Sequence, residues 1–205
     1  MKNLILISTL LAAGTLAANA ETTLGYTNVG NLFSGIWRDN NMFQLFSSSL
    51  NDYSGFYTFR TSEYDFNNLA SAKFNIYLSS LGSGSSAGLK VWAVERENTD
   101  LNKTIAEEII NSANKTESVS TSPTVFEAFS MFSIDITSVL KKITQGKDVA
   151  ILIGMEWGDA CCLDFGESAP TTLSVEFATV PEPSMFGLLA GTLALALAGT
   201  RRRRR

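Results

Sequence analysis

Several stretches of the chain alternate hydrophobic and polar residues with the two-residue period of a β-strand that is buried on one face. In residues 72–78, Phe74 and Ile76 lie on one side and Lys73 and Asn75 on the other. Residues 148–155 are almost continuously apolar, which predicts a central strand buried on both faces. Residues 21–50 give only weak strand signals, around 24–26 and 42–46. Further strands are predicted at 54–60, 89–95, 126–129, 131–136, 161–165 and 171–177.

Helical signals are few and short. Thr104, followed three residues later by Glu107, resembles a capping box and predicts a short helix through Ile110. Asp135 or Thr137 can cap a second helix over 138–144 that ends at Gly146. Many short strands with one or two short helices predict an all-β fold, an antiparallel β-sandwich or jelly roll.

The N-terminus has the three parts of a secretory signal peptide. Lys2 is positive, residues 4–16 are apolar, and Ala18-Asn19-Ala20 is an A-x-A cleavage site. We expect signal peptidase to remove residues 1–20. The exported domain is then expected to span residues 21–180, which is long enough for one domain with a sizeable core.

The C-terminus, residues 181–205, combines three features. Pro181, Glu182 and Pro183 precede residues 184–200, which carry no charge. As a helix this apolar run would be about 25 Å long, enough to cross a thin hydrocarbon layer. A basic cluster then holds the C-terminus on the cytoplasmic side and leaves everything before Pro181 outside. The cluster consists of Arg201, Arg202, Arg203, Arg204 and Arg205.

This combination closely resembles the PEP-CTERM sorting signal. The resemblance implies export, a transient transmembrane helix in the inner membrane, cleavage near the motif by an exosortase, and release to the cell surface or extracellular matrix. Such proteins belong to Gram-negative bacteria that make exopolysaccharide. An ordinary membrane anchor would share the apolar run and basic end without needing Pro-Glu-Pro. A nucleic-acid contact would be expected to have a second basic patch nearby, so we expect no nucleic-acid partner.

Without its terminal segments the protein is acidic. The chain has 16 basic and 20 acidic residues; without Lys2, the five terminal arginines and Glu182, 10 and 19 remain, a net charge near −9. Such a surface repels anionic polymers unless calcium bridges them, although an acidic excess can also serve solubility alone. The absence of histidine excludes Ser-His-Asp and Cys-His catalysis. The adjacent Cys161 and Cys162 do not indicate a metal site, because the chain has no histidine and no further cysteine, and a disulfide between neighbours would close a strained small ring.

The order of strands in the middle of the chain carries a second resemblance. It consists of Phe59 in an aromatic strand, residues 69–78, 89–94 and 132–137, a short helix, a strand over 149–153, and Glu167-Ser-Ala-Pro170 before residues 172–177. This order resembles the DNRLRE-type β-sandwich of bacterial surface proteins over residues 55–177. The resemblance implies a structural or adhesive module.

Two sets of side chains are candidate binding sites. Glu156, Asp159, Asp164 and Glu167 place four carboxylates on a turn-rich segment, which is one way to hold calcium; the alternative is a solvated acidic loop. Tyr77, Trp92 and Trp157 are candidates for stacking on sugar rings. Tyr77 and Trp92 are expected on neighbouring strands, opposite the core face, and exposure would make them a platform whereas burial would make them packing residues.

The sequence as a whole predicts a non-enzymatic envelope or extracellular-matrix protein associated with exopolysaccharide in flocs or biofilm. We expect no cofactor, apart from the calcium that the acidic loop could bind. The alternative is a carbohydrate-binding module with an exposed aromatic row. A glycan-active hydrolase comes third, and it would need a deep cleft that holds acids with shifted pKa values.

Overall fold

The structure, a computed structural model, describes residues 21–39, 49–78, 86–121, 124–125, 130–158 and 171–178. Ala20–Phe177 forms one compact unit. The predicted signal peptide and the predicted sorting segment lie outside the described residues. So do the strands predicted at 42–46, 126–129 and 161–165.

The described strands form two sheets, and every strand pair in them is antiparallel. The four-stranded sheet has the order β1 (Glu21–Gly25), β11 (Thr172–Phe177), β5 (Leu69–Leu78) and β9 (Ser130–Asp135). The seven-stranded sheet runs β3 (Ile36–Arg38), β2 (Asn28–Phe33), β4 (Tyr53–Phe59), β10 (Asp148–Gly158), β6 (Ser86–Arg96) and β7 (Val119–Ser120), and β8 (Thr124–Val125) pairs with the first two residues of β6. The predicted all-β class is confirmed.

Both sheets contribute to one hydrophobic core. Phe74 and Ile76 from the four-stranded sheet are fully buried, as the alternation in residues 72–78 predicts. They pack with residues of the other sheet, and the Tyr57 and Phe74 rings meet edge to face with centroids 5.5 Å apart. A strand that is apolar on both faces must be buried on both. The inner face of β10 packs in the core between the sheets, and a helix covers its outer face.

That helix is α1 (Lys103–Ala113), which lies on the outer face of the seven-stranded sheet. Its apolar stripe of Ala106, Ile109, Ile110 and Ala113 is buried. The stripe covers Trp92 and Val94 of β6 and Ala150 and Leu152 of β10. The predicted central position of residues 148–155 is therefore confirmed, with β4 and β6 on either side.

The helix limits differ from the prediction. The N-cap of α1 is Asn102, whose side-chain oxygen accepts from the Ile105 N–H at 3.0 Å, and not Thr104. The second helix, α2 (Thr137–Leu140), begins one residue earlier and ends four residues earlier than predicted. Its N-cap is Ile136, and the Asp135 carboxylate instead accepts from the Thr137 N–H at 2.9 Å.

The sequence did not predict the hairpin of β2 and β3. Ser34 and Gly35 form its two-residue turn with φ values of 53° and 72°. Two consecutive positive φ angles are what the right-handed twist of a tight hairpin requires, and glycine adopts them without steric cost. The Trp37 ring of β3 then lies over Gly30 of β2.

Candidate functional site

The outer face of the four-stranded sheet is polar, and we call it the polar face. The registers place its side chains in rows across the strands, so that Thr23, Ser174, Lys73 and Asp135 form one row and Thr172, Asn75 and Ser133 the next. The remaining outward residues lie at the two ends of the sheet. They are Glu21, Ser71, Tyr77, Met131 and Glu176.

Asn75 is the centre of a hydrogen-bond network on the polar face. Its amide nitrogen donates to the Thr172 hydroxyl at 3.2 Å and to the Ser174 hydroxyl at 3.1 Å. Its amide oxygen accepts from the Ser133 hydroxyl at 2.7 Å. The network links three strands and therefore holds a flat array of hydroxyl and amide groups in fixed positions.

Tyr77 lies at the end of the polar face beside this network. It is half-buried, and its cross-strand neighbour on β9 is Met131, which is 48% exposed. A tyrosine of this kind presents an apolar ring and a polar hydroxyl together. The sequence identified Tyr77 as a candidate but did not associate it with Asn75, Ser133 and Thr172, although their outward positions follow from the strand alternation.

The prediction that Tyr77 and Trp92 lie on neighbouring strands is wrong. Tyr77 lies on β5 in the four-stranded sheet, and Trp92 lies on β6 in the seven-stranded sheet. Trp92 is only 6% exposed because α1 covers it. The side chain of Trp157 lies outside the described residues. Tyr77 and Trp92 therefore do not form one platform.

Trp92 instead forms a wall of a pocket of about 340 Å³ on the outer side of the seven-stranded sheet, which we call the Trp92 pocket. The other apolar lining residues are Leu50, Ile110 and Met155. The polar ones are Ser49, Asn51, Lys90, Asn114 and Glu156. Two residues that the sequence assigned to separate hypotheses, Trp92 and Glu156, thus meet in one pocket.

Strand alternation places Glu156 there, since it shares the outer face of β10 with Ala150 and Leu152. The pairing of β10 with β6 shifts between Met155 and Trp157, so Glu156 has no partner residue in β6. Leu50 lies against Gly154 of β10, where any larger residue would overlap it.

The other three carboxylates of the predicted calcium loop, Asp159, Asp164 and Glu167, lie outside the described residues, as do Cys161 and Cys162. Among the residues that the structure describes, no three Asp, Glu, Cys or His side chains form a metal-binding group. The calcium site stays a prediction.

Two further pockets have charged linings, and all of these charges except that of Lys115 have a partner among the described residues. In the larger, of about 580 Å³, Glu117 forms an ion pair with Lys142, and the Glu95 carboxylate accepts from the Thr144 N–H at 3.2 Å. In the smaller, of about 280 Å³, Arg96 pairs with Glu108 and Lys147 with Glu97. These paired side chains already interact within the protein and are not free to bind a ligand.

Three of the described groups have shifted pKa values, and each shift has a structural cause. Burial between the sheets raises the pKa of the Tyr57 hydroxyl. Desolvation, with the neighbouring Glu63 carboxylate, raises the pKa of Tyr64. Hydrogen bonds from the Thr137 hydroxyl and N–H lower the pKa of Asp135, and the nearby Lys73 ammonium adds to that effect. None of the three groups lines the Trp92 pocket.

No protein-family model matches the chain, and no curated protein matches it either. Neither of the described helices is long and apolar enough to cross a membrane; the predicted membrane helix, residues 184–200, lies outside the described part of the chain.

Proposed function

We propose that the chain is a non-enzymatic exported protein of the bacterial envelope or extracellular matrix that associates with exopolysaccharide. In this proposal signal peptidase removes residues 1–20 and an exosortase cleaves near Pro181-Glu182-Pro183. Residues 184–200 anchor the protein in the membrane only until that cleavage, with the five terminal arginines on the cytoplasmic side. The working part of the protein is then a β-sandwich of the PEP-CTERM class of exported proteins.

The observation that supports association with polysaccharide is the polar face. A sugar polymer offers hydroxyl groups in a repeating, nearly flat arrangement. The network around Asn75 presents hydroxyl and amide groups on three adjacent strands, and these groups can both donate and accept. Tyr77 adds an apolar ring at the end of the same surface.

A second candidate, a carbohydrate-binding module with its own defined ligand, is favoured by the position of Tyr77. A ring that is half-buried is held in place by its neighbours and keeps one part accessible. The two candidates differ in selectivity: a matrix protein tolerates many polymers, whereas a binding module prefers one.

Affinity electrophoresis of the full-length chain through gels that contain the host's own exopolysaccharide tests the proposal. We expect the gel to retard the wild-type protein and Tyr77→Ala and Asn75→Ala to reduce that retardation severalfold. Ile36→Ala is the matched control, because Ile36 is 61% exposed on the other sheet and lies away from the polar face. Equal mobility with and without polysaccharide would sink the proposal.

The same gels with calcium or a chelator test the predicted calcium loop. Retardation that is lost on chelation, and also in Glu156→Gln, would support bridging by Glu156, Asp159, Asp164 and Glu167. Retardation that does not depend on calcium but is lost in Tyr77→Ala would assign binding to the polar face alone.

A further inference from the structure

In the Trp92 pocket most polar side chains have no partner among the residues that the structure describes, whereas in the other two pockets most charged side chains do. Within the described part of the chain, the side chains of Asn51, Asn114 and Glu156 make no hydrogen bond or ion pair. Lys90 has its ammonium 5.5 Å from the Trp92 ring centroid and no carboxylate partner among the described residues. These polar groups are therefore available to a ligand.

The pocket is supported by ordered elements on every described side. Asn114 is the C-cap residue of α1, and its N–H donates to the Ile110 carbonyl at 3.0 Å. The turn that carries Asn51 is closed by the Tyr53 N–H, which donates to the Ser49 carbonyl at 2.9 Å. Lys90 and Glu156 extend from two paired strands. The backbone at these positions is therefore already ordered before a ligand binds, which lowers the cost of binding.

The chemistry of the lining favours an uncharged, polyhydroxylated ligand. One ammonium and one carboxylate balance each other, so an anionic ligand would gain from Lys90 and lose to Glu156. Two amides supply both donors and acceptors, which suits hydroxyl groups. Trp92, Leu50, Ile110 and Met155 supply the apolar part of a mostly polar lining, against which the C–H face of a ring can pack, and the volume lies at the lower end of the about 300–1,000 Å³ of small-molecule sites.

We propose that the Trp92 pocket binds one neutral sugar residue, such as a terminal hexose or N-acetylhexosamine, through Asn51, Lys90, Asn114 and Glu156. Trp92 forms a wall beneath the bound residue and is not a stacking platform, since it is buried and its ring already faces Lys90. This site lies on the opposite sheet from the polar face. An experiment can therefore contradict sugar binding in the Trp92 pocket without contradicting polysaccharide binding by the polar face, and the reverse.

Saturation-transfer difference NMR on the full-length chain, in a detergent without sugar headgroups, tests this proposal. The probes are the methyl glycosides of glucose, galactose, mannose and N-acetylglucosamine, with glucuronate as the charged comparison. We expect transfer to at least one neutral glycoside, and a loss of about fivefold or more in apparent affinity in Asn114→Ala and in Glu156→Gln. Glu107→Gln, an exposed carboxylate change on the same helix, is expected to leave the signal unchanged.

Tyr77→Ala separates the two sites. If it reduces retardation by the polysaccharide severalfold but keeps the glycoside signal, the pocket stands independently of the polar face. Three results would overturn the pocket proposal: no transfer to any neutral glycoside, equal signals in the wild type and both pocket variants, or stronger binding of glucuronate than of the neutral glycosides. Because Asn114 and Glu156 are exposed, both variants are expected to fold, and circular dichroism checks this.

Discussion

At Gly30 the backbone of β2 lies directly beneath the Trp37 ring. A β-carbon at this position would overlap two ring atoms of Trp37 and come within 3.2 Å of the Arg38 carbonyl. We expect Gly30→Ala to lower the free energy of unfolding by about 1–3 kcal/mol, because the rigid indole must leave its place. Urea unfolding followed by tryptophan fluorescence measures the change.

Gly25→Ala is the control for Gly30→Ala. A β-carbon at Gly25 meets no atom within 4 Å, and its φ is not in the left-handed region. We therefore expect a neutral effect or a small gain, since alanine reduces the freedom of the unfolded chain. A loss of stability as large in Gly25→Ala as in Gly30→Ala would contradict the packing explanation.

Thr137 stabilises the ionised form of the Asp135 carboxylate. Its hydroxyl donates to the Asp135 carboxylate at 2.6 Å and its N–H donates to the same oxygen at 2.9 Å. These bonds stabilise the ionised form and lower the pKa of Asp135 below its usual value of about 3.9. Since the folded-state pKa is the lower one, the contribution to stability is present above the unfolded pKa and is lost as pH falls through the folded pKa.

We expect Thr137→Val to raise the pKa of Asp135 towards its usual value, because the side-chain donor is gone while the backbone donor stays. Carboxyl-detected NMR titration measures it. Ser133→Ala, on the same strand and the same face, is the control and is expected to leave the pKa of Asp135 unchanged. A Thr137→Val titration that matches the wild type would show that the hydroxyl is not the cause.

Among the elements, α1 is held at its start by Asn102. Its side-chain oxygen accepts from the Ile105 N–H, which otherwise has no partner in the helix. We expect Asn102→Ala to lower the free energy of unfolding by about 1 kcal/mol. Thr104→Ala is expected to be neutral or slightly stabilising, because Thr104 is exposed inside the helix and alanine is the better helix former. Chemical denaturation compares the two, and the reverse order would restore Thr104 as the cap.

Elements with one buried face are predictable from the sequence because apolar and polar residues alternate along them. The strand β5 shows it: Phe74 and Ile76 are buried, and Lys73 is exposed. The hairpin of β2 and β3 has no such alternation, since Gly30 has no side chain and the turn depends on backbone angles at Ser34 and Gly35. The predicted cap of α1, Thr104, lies two residues after the observed one, because the side chains of both Asn102 and Thr104 can accept a hydrogen bond from a backbone N–H of the first helical turn.

Which elements lie next to each other is harder to predict from the sequence than the elements themselves. Consecutive strands usually lie side by side, and that tendency underlies the expectation that Tyr77 and Trp92 are neighbours. The chain instead passes from one sheet to the other between β5 and β6. Asn51 and Asn114 of the Trp92 pocket come from a turn and a helix end, so no local pattern could connect them with Lys90 and Glu156.

On the scale of the whole molecule, the two proposed binding surfaces lie on the outer sides of opposite sheets. The polar face belongs to the four-stranded sheet and the Trp92 pocket to the seven-stranded sheet, with the shared core between them. In the proposed arrangement, one domain contacts two polymer chains at once. A protein with two such surfaces cross-links a polymer, whereas a protein with one only coats it.

We expect residues 21–180, the proposed mature region, to raise the low-shear viscosity of the host's exopolysaccharide when added as a monomer. Tyr77→Ala, or Asn114→Ala together with Glu156→Gln, is expected to abolish that rise, because each leaves a single binding surface. Each variant should still be retarded in affinity gels through its remaining surface, and Glu107→Gln should behave as the wild type. If the single-surface variants thicken the polymer as well as the wild type does, cross-linking arises from self-association of the protein, and the arrangement of its two faces is not the cause.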